Sequence, residues 1–552
     1  MATTSLTSDA AFGAPARPEP ARPEKADDGG APQILLFVVA TLLVFLLVRG
    51  GTDFVSGPGL AYVPLWGLIV LAPSAAFAWV TYDDHAPFMR RFSQASAIFL
   101  TFYFATEPFE IPYAAIDHGH PAALFHRYGR WLGIALGVAA WFRPAAVYAG
   151  AMTLWLMRDL NGPITGFYFS NLDIRNVAEV LALCGAGFTL LGASMQNPTL
   201  RRYTSVDAHV VQRAAILMFA IGFGGHFGNY FYSAIAKLAL DGGVFSWLFD
   251  NRLYDGVPGA LERGTFPFAL SPAATQVVYD WMKALNLPLH LGSFAAQFAA
   301  VFAIWRRTWV MALTVVYDLF HVIVYVTFGL IFWKWIALNA IVLATLTAVP
   351  DAMWTRSVRY VALASVLAGA VFFKTATLAW YDSPGFMSVY FEAEMQDGER
   401  VRLPPAFFHS ASYQISQARL YAPPAEGHFN FAIWGSVLRY ADVKAGRECR
   451  APERDGPPEA RYGPVEAVRA YIAEHHKKVL RDARPDGTYK VGPYIHHHMP
   501  SPFITPRSAQ IQVRDIAAYR WIVESVCLGL ENGRLTRDVL QRTEIPLLEV
   551  GP

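Results

Sequence analysis

The sequence predicts an all-α polytopic membrane bundle of about eleven transmembrane helices, followed by a soluble α+β domain. Of the 552 residues 54% are hydrophobic and only 16% charged, apolar runs fill residues 33–381, and the composition turns polar and mixed after "WYDSPG". One soluble core cannot bury that much apolar surface, whereas a bilayer can cover it. The lipid bilayer is therefore the expected partner, while the net charge of +2, from 45 basic and 43 acidic residues with no long basic block, argues against nucleic acid.

Residues 1–32 are rich in Ala, Pro and charge, lack a continuous apolar core behind a basic start, and read as a disordered cytoplasmic tail. The membrane domain occupies 33–381, with candidate spans at 33–50, 60–81, 93–108, 128–142, 144–158, 176–196, 212–238, 291–305, 308–330, 333–349 and 358–380. Several are shorter than the usual ~20 residues. Arg143-Pro144 reads as a tight turn between two of them. Arginines at Arg17 and Arg22, Arg90 and Arg91, Arg143, Arg201 and Arg202, Arg306 and Arg307, and Arg356 and Arg359 all fall on one face, which the positive-inside rule makes cytoplasmic. The chain is then expected in the inner membrane with a cytoplasmic N-terminus. Loops 109–127, 159–175 and 240–290 face outward, the last with Trp247 as a membrane anchor and enough Gly, Pro and aromatic residues for a lid over the outer mouth.

Residues 382–552 read as a periplasmic α+β domain. "SVYFEAEMQDGERVRLP" alternates around Asp397-Gly398, a hairpin signal; "GPVEAVRAYIAEHHKKVLRDA" has helical periodicity; "SAQIQVRDIAAY" and "EIPLLEV" suggest strands. Cys449 and Cys527 are the only cysteine pair in this domain and form a disulfide candidate outside the reducing cytoplasm; two free thiols are what a reversed topology predicts. Cys184 lies in a span, where a small apolar thiol needs no special account.

The unusual residues lie inside the spans. "NYFYSAIAKLAL" carries Lys237 where a charge is expensive. Snorkelling to the outer interface is the plain account of a lone lysine there. On a helix, however, His226, Tyr230, Ser233 and Lys237 share one face, with His226 about 16 Å deeper than Lys237 at ~1.5 Å per residue. Such a stripe must look into the bundle or a polar cavity. In "VYDLFHVIVYVTFGLIF", Asp318 and His321 stand one turn apart, either a self-satisfied pair or part of a site. Arg175 and Glu179 are spaced for an interfacial ion pair.

Three segments resemble a known family. "NYFYSAIAKL" is similar to the Tyr-Phe, small-residue, Lys-Leu segment of the vitamin K-dependent γ-glutamyl carboxylases and the wider group sharing their horizontally transferred transmembrane (HTTM) domain. "DLFHVIVYVTFGLIFW" resembles their Phe-His span, and "AAWFRPAAVY" their arginine-bearing turn, in the same order and over roughly residues 90–350. The resemblance implies a membrane enzyme that oxygenates a reduced naphthoquinone, menaquinol or a vitamin K hydroquinone-like lipid, with O2, and couples this to CO2 addition at a glutamyl side chain of a protein or peptide on the outer face. It implies Lys237 as the base, His321 orienting the quinol oxygen, Asp318 fixing the imidazole tautomer, and His226, Tyr230, Ser233 and Arg175 around the quinol cavity. The family's Asn-His pair is missing: "FSNLDIRNVAEV" offers Asn171 and Arg175 but no histidine, which bears on CO2 handling.

Glu107, Glu110, Asp117, His118, His120 and His126 in an outer loop, and His496, His497 and His498 in "YIHHHMPSPF", match no strong metal spacing, so no metal is expected. Two other classes remain open: a non-catalytic HTTM-fold scaffold whose outer domain binds a partner protein, and a transporter using the polar stripe as a solute path.

Overall fold

The computed structural model describes residues 30–83, 85–107, 112–166, 172–204, 206–268, 270–411, 428–429, 438–450, 465–489 and 511–550. Residues 1–29 of the tail, Glu110, Asn171 and His496 to His498 lie outside the described residues.

Each of the eleven apolar runs is helical over much of its length: α1 (Ala31–Val55), α2 (Val63–Ala76), α3 (Pro87–Thr106), α4 (Pro121–Ala140), α5 (Pro144–Asp159), α6 (Leu172–Gln196), α7 (Ala208–Leu238), then α9 (Asn286–Phe298), α10 (Arg307–Phe328), α11 (Trp333–Thr347) and α12 (Arg356–Phe372), with α8 (Pro272–Ala284) in the loop between α7 and α9. Prolines at Pro87, Pro121 and Pro144 open their helices, where the missing N–H costs nothing and φ is already helical. Asp207 caps α7 by accepting from the Val210 N–H at 2.8 Å. Helices α1, α6, α7 and α10 are long and apolar enough to cross a membrane, while α11 is apolar but shorter. On α1, Leu35 and Leu47 are 63% and 76% exposed, a greasy face that water would penalise and lipid would cover.

Helix α7 is the hub. It lies against α12 through Gly224 and Gly228, where a Cβ would come within 2.8 Å of the Ala362 carbonyl and 3.1 Å of the Val366 carbonyl. Small residues four apart are what lets two helices approach so closely.

Four of the eleven expected spans thus have the length and apolarity to cross, and two of the others are broken. The stretch 291–305 is divided between α9 and a short helix, Ala300–Ala303. The stretch 358–380 is helical only to Phe372; residues 374–380 then continue without regular structure. This strap survives among helices because side chains of α6 and α7 take up its backbone groups.

Beyond the strap, β1 (Gly385–Met395), β2 (Arg400–Leu403), β3 (Ile516–Glu531) and β4 (Arg534–Glu549) form an antiparallel sheet in the order β2-β1-β3-β4. The β1–β2 turn sits at Asp397-Gly398, with Gly398 at φ 85°, and the longer β3–β4 hairpin turns at Asn532 (φ 51°) and Gly533 (φ 71°). The helix α14 (Val465–Arg481), preceded by α13 (Tyr440–Arg447), packs its buried Val468, Tyr471 and Ile472 into the same core as Phe391 and Trp521 of the sheet. Cys449 and Cys527 are joined in a disulfide that ties the chain after α13 to β3.

The sheet is pinned to the helical part by Glu262. Its carboxylate accepts from Arg402 at 2.8 Å, Arg537 at 2.8 Å and Ser388 at 2.6 Å. Burial pushes this carboxyl up, but the two guanidiniums outweigh it and hold it below the usual range.

Candidate functional site

Between α7, α9, α10 and α11 lies a cavity of about 310 Å³, bounded at the end nearer the sheet domain, called here its outer end, by Trp247, Met282 and the strap residues Leu378 and Trp380. Its walls are mostly aliphatic and aromatic, and Lys237 and His321 both face it. Val316, Leu319 and Ile323 of α10 line it and are also 43%, 58% and 38% exposed, so this wall is continuous with the molecule's apolar outer surface.

At its inner end a polar relay holds His321. The Tyr230 hydroxyl stands 2.9 Å from His321 Nε2 and accepts from Asn339 Nδ2 at 3.2 Å. One hydrogen lies between the phenol oxygen and Nε2, and which of the two donates it follows the imidazole tautomer. Asn339 Nδ2 also donates to Asp318 Oδ1 at 2.8 Å, and its Oδ1 lies 2.9 Å from His226 Nε2. Asn339 and Tyr230 thus link Asp318 to His321. Tyr230 itself is stacked on Tyr317 at 3.6 Å between ring centroids, so its hydroxyl cannot swing away without losing that contact. His226 is fully buried between Asn339 and Asn176 and is not part of the cavity wall; it braces the relay from behind.

At the outer end, the polar face of α7 does a different job. Asn229 Oδ1 accepts the Ala376 N–H at 2.7 Å and Ser233 Oγ accepts the Leu378 N–H at 2.9 Å, while Glu179 of α6 accepts the Lys374 N–H at 2.8 Å. The strap thus presents alternate N–H groups to a ladder of side chains, as an extended chain must. Lys237 continues the ladder: Nζ donates to the Leu378 carbonyl at 2.8 Å, to Gln297 Oε1 at 2.8 Å and to the Ser233 carbonyl at 3.3 Å, beneath the Trp247 ring. It does not snorkel to water; only 4% of it is exposed.

Trp247, expected as an interfacial anchor, is buried instead. Its indole donates to the Trp380 carbonyl at 2.9 Å because the 240–290 loop folds back over the cavity mouth as a lid. Behind it, Asn251 joins His290 Nε2 at 3.1 Å to Asp382 Oδ2 at 2.9 Å.

Arg175 is not brought to this site. It pairs with Asp53, Asp159 and Glu179 and lies over the Trp155 ring, an ion network in which Arg49 also approaches Glu179 at 3.7 Å. The outer-loop residues go to separate partners: Glu107 to Arg158 at 2.7 Å, His126 to Asn161 at 2.8 Å, and His120 to the Ala122 N–H at 3.1 Å. Among the described residues no group of three or more His, Cys, Asp or Glu could hold a metal ion.

Asn339, Gln297, Trp247 and Asp382 were not singled out as site residues from the sequence. The signal was available for two of them, since Asn339 and Gln297 are uncharged polar residues inside apolar runs. No known family model matches this chain, and neither the curated proteins nor the solved structures contain a significant match.

Chemically, the cavity offers apolar walls for a flat hydrophobic molecule, an imidazole acceptor chain at one end and an amine at the other.

Proposed function

We propose that the protein is a γ-carboxylase-like enzyme of the HTTM type that oxygenates a reduced naphthoquinone. In this reading all eleven helical runs belong to an inner-membrane bundle, the N-terminus is cytoplasmic and the sheet domain periplasmic. The observation that carries it is that Lys237 and His321, from different helices, face one apolar cavity. The quinol enters from the lipid side, along the wall formed by Val316, Leu319 and Ile323. Lys237 is the base in its neutral form: Nζ keeps its N–H bonds to Gln297 Oε1 and the Leu378 carbonyl, gives up the longest contact, to the Ser233 carbonyl, and turns its lone pair to the quinol hydroxyl, whose proton converts it to ammonium. His321 and Tyr230 steady the far oxygen of the ring. Quinol and O2 then yield epoxide and water. Coupled carboxylation of a glutamyl substrate remains a second activity to test beside it, since the chain departs from the family at its Asn-His pair.

The test is direct. Purified protein in lipid discs, given a reduced menaquinone analogue and oxygen, is expected to form epoxide well above discs without protein. Quinol that survives unchanged removes this reading and favours the scaffold or transporter.

A further inference from the structure

In the proposed chemistry Lys237 takes one quinol proton and the oxygen step releases hydroxide, so the amine must hand its proton on before the next turnover, and the cavity's apolar walls offer it few ways out. One acidic side chain shares the cavity with it: Asp382, 5% exposed. The strap that delivers the Leu378 carbonyl to Lys237 Nζ places this carboxyl four residues further along, three residues before β1 and the sheet domain. Its position is fixed from three sides. Oδ2 accepts from Asn251 Nδ2 at 2.9 Å, Oδ1 from Trp380 Nε1 at 3.2 Å, and the Asp382 N–H donates to Asn251 Oδ1 at 2.6 Å.

We propose that Asp382 is the proton partner of Lys237, receiving the proton that the amine takes from the substrate and passing it to the outer aqueous face. This rests on the functional reading above. The step balances as ammonium plus carboxylate giving amine plus carboxylic acid, after which the acid's proton meets the hydroxide released with the epoxide to make the water of the overall reaction, and no electrons move in the transfer. Asp382 is a positioning residue in this scheme, because it acts through Lys237.

The surroundings suit the task. Burial pushes the Asp382 carboxyl up to about 7, against its hydrogen bonds from Asn251 and Trp380; nearby Asp255 adds to the rise and Lys237 opposes it. The groups facing it are Lys237 from α7, Asp255 from the 253–255 turn, and His290 of α9 through Asn251. A carboxyl that titrates near neutrality both accepts and releases a proton without a deep trap.

The infrared carbonyl band of protonated carboxyls, followed against pH in the full-length protein, tests this without any substrate. Asp255 also titrates near 7, so the Asp382 band is read as the difference between the parent and Asp382→Asn, and it is expected to titrate near 7. It should shift to higher pH in a Lys237→Gln background, where the amide keeps an N–H donor for the Leu378 carbonyl and the opposing cation is gone. A midpoint unmoved in Lys237→Gln overturns the proposal. With a reduced naphthoquinone and O2, Asp382→Asn should lower the steady-state rate about tenfold or more, and by more than it slows the first turnover, with Asp382→Glu restoring part of the loss. A steady-state rate equal to the parent's also overturns it. If the parent forms no epoxide at all, the functional reading fails, and the infrared coupling alone decides whether Lys237 and Asp382 share a proton.

Discussion

Asn339→Leu is expected to lower the stability of the helical bundle by about 2–4 kcal/mol, the largest loss of any single polar replacement within it. The side chain is fully buried and holds three partners, with bonds of 2.9 Å to His226, 3.2 Å to Tyr230 and 2.8 Å to Asp318. Leucine is close to asparagine in size, so the cost comes from groups left without partners rather than from a void. Interhelical hydrogen bonds within membranes average only ~0.6 kcal/mol when measured pairwise, because the unfolded state finds partners too. Here one change removes the partner of the buried His226 Nε2 together with those of Tyr230 and Asp318, and such a network is worth more than its separate bonds. Thr345→Val is the control: Thr345 is equally buried on the same helix, but its hydroxyl bonds only the Ile341 carbonyl one turn back, at 2.7 Å. It should cost under about 1 kcal/mol. Denaturation of the two variants in the same detergent decides the matter, and equal stabilities would mean that the relay around Asn339 carries no special weight.

Lys237 ties down the strap, and in the proposed reaction it is also the base; one variant separates the two roles. Holding the strap needs a donor to the Leu378 carbonyl and Gln297; acting as a base needs an amine that can lose its charge. Arginine supplies the first and not the second, since the guanidinium stays protonated. Lys237→Arg is therefore expected to keep the fold to within about 1 kcal/mol while epoxide formation falls by about 10²–10⁴-fold, the usual worth of a positioned general base. Lys237→Met should lose both. Were Lys237→Arg to turn over at the parental rate, the amine would be a structural tie only, fastening an irregular stretch of backbone inside the bundle.

Much of the helical part was legible because apolar runs and proline starts mark helices whatever surrounds them. The end of α12 was not. The hydrophobic pattern continues past Phe372, and the chain leaves the helix there because Glu179, Asn229 and Ser233 on other helices accept its N–H groups, a tertiary fact with no local signature. The same bonds explain why the polar stripe on α7 was only half understood. Tyr230 and Lys237 do reach the cavity, but Ser233 and Lys237 also fasten the strap, and His226 turns to Asn176 and Asn339. Arg175 could not be placed from spacing to Glu179 alone, since Asp53, which draws it away, lies far off in sequence on α1. In the sheet domain Asp397-Gly398 was a sufficient turn signal; Asn532-Gly533 carries an equally strong one for the longer β3–β4 hairpin.

The most direct measurement is photolabelling with an azido-naphthoquinone in lipid discs, followed by peptide mapping. If the cavity between Lys237 and His321 is where such a molecule binds, the label should be found on its walls, at residues such as Leu289, Phe320 and Trp335, and an unlabelled quinone should compete it away. Label spread over the exposed leucines of α1, with nothing competed from the cavity walls, would contradict the account at its centre.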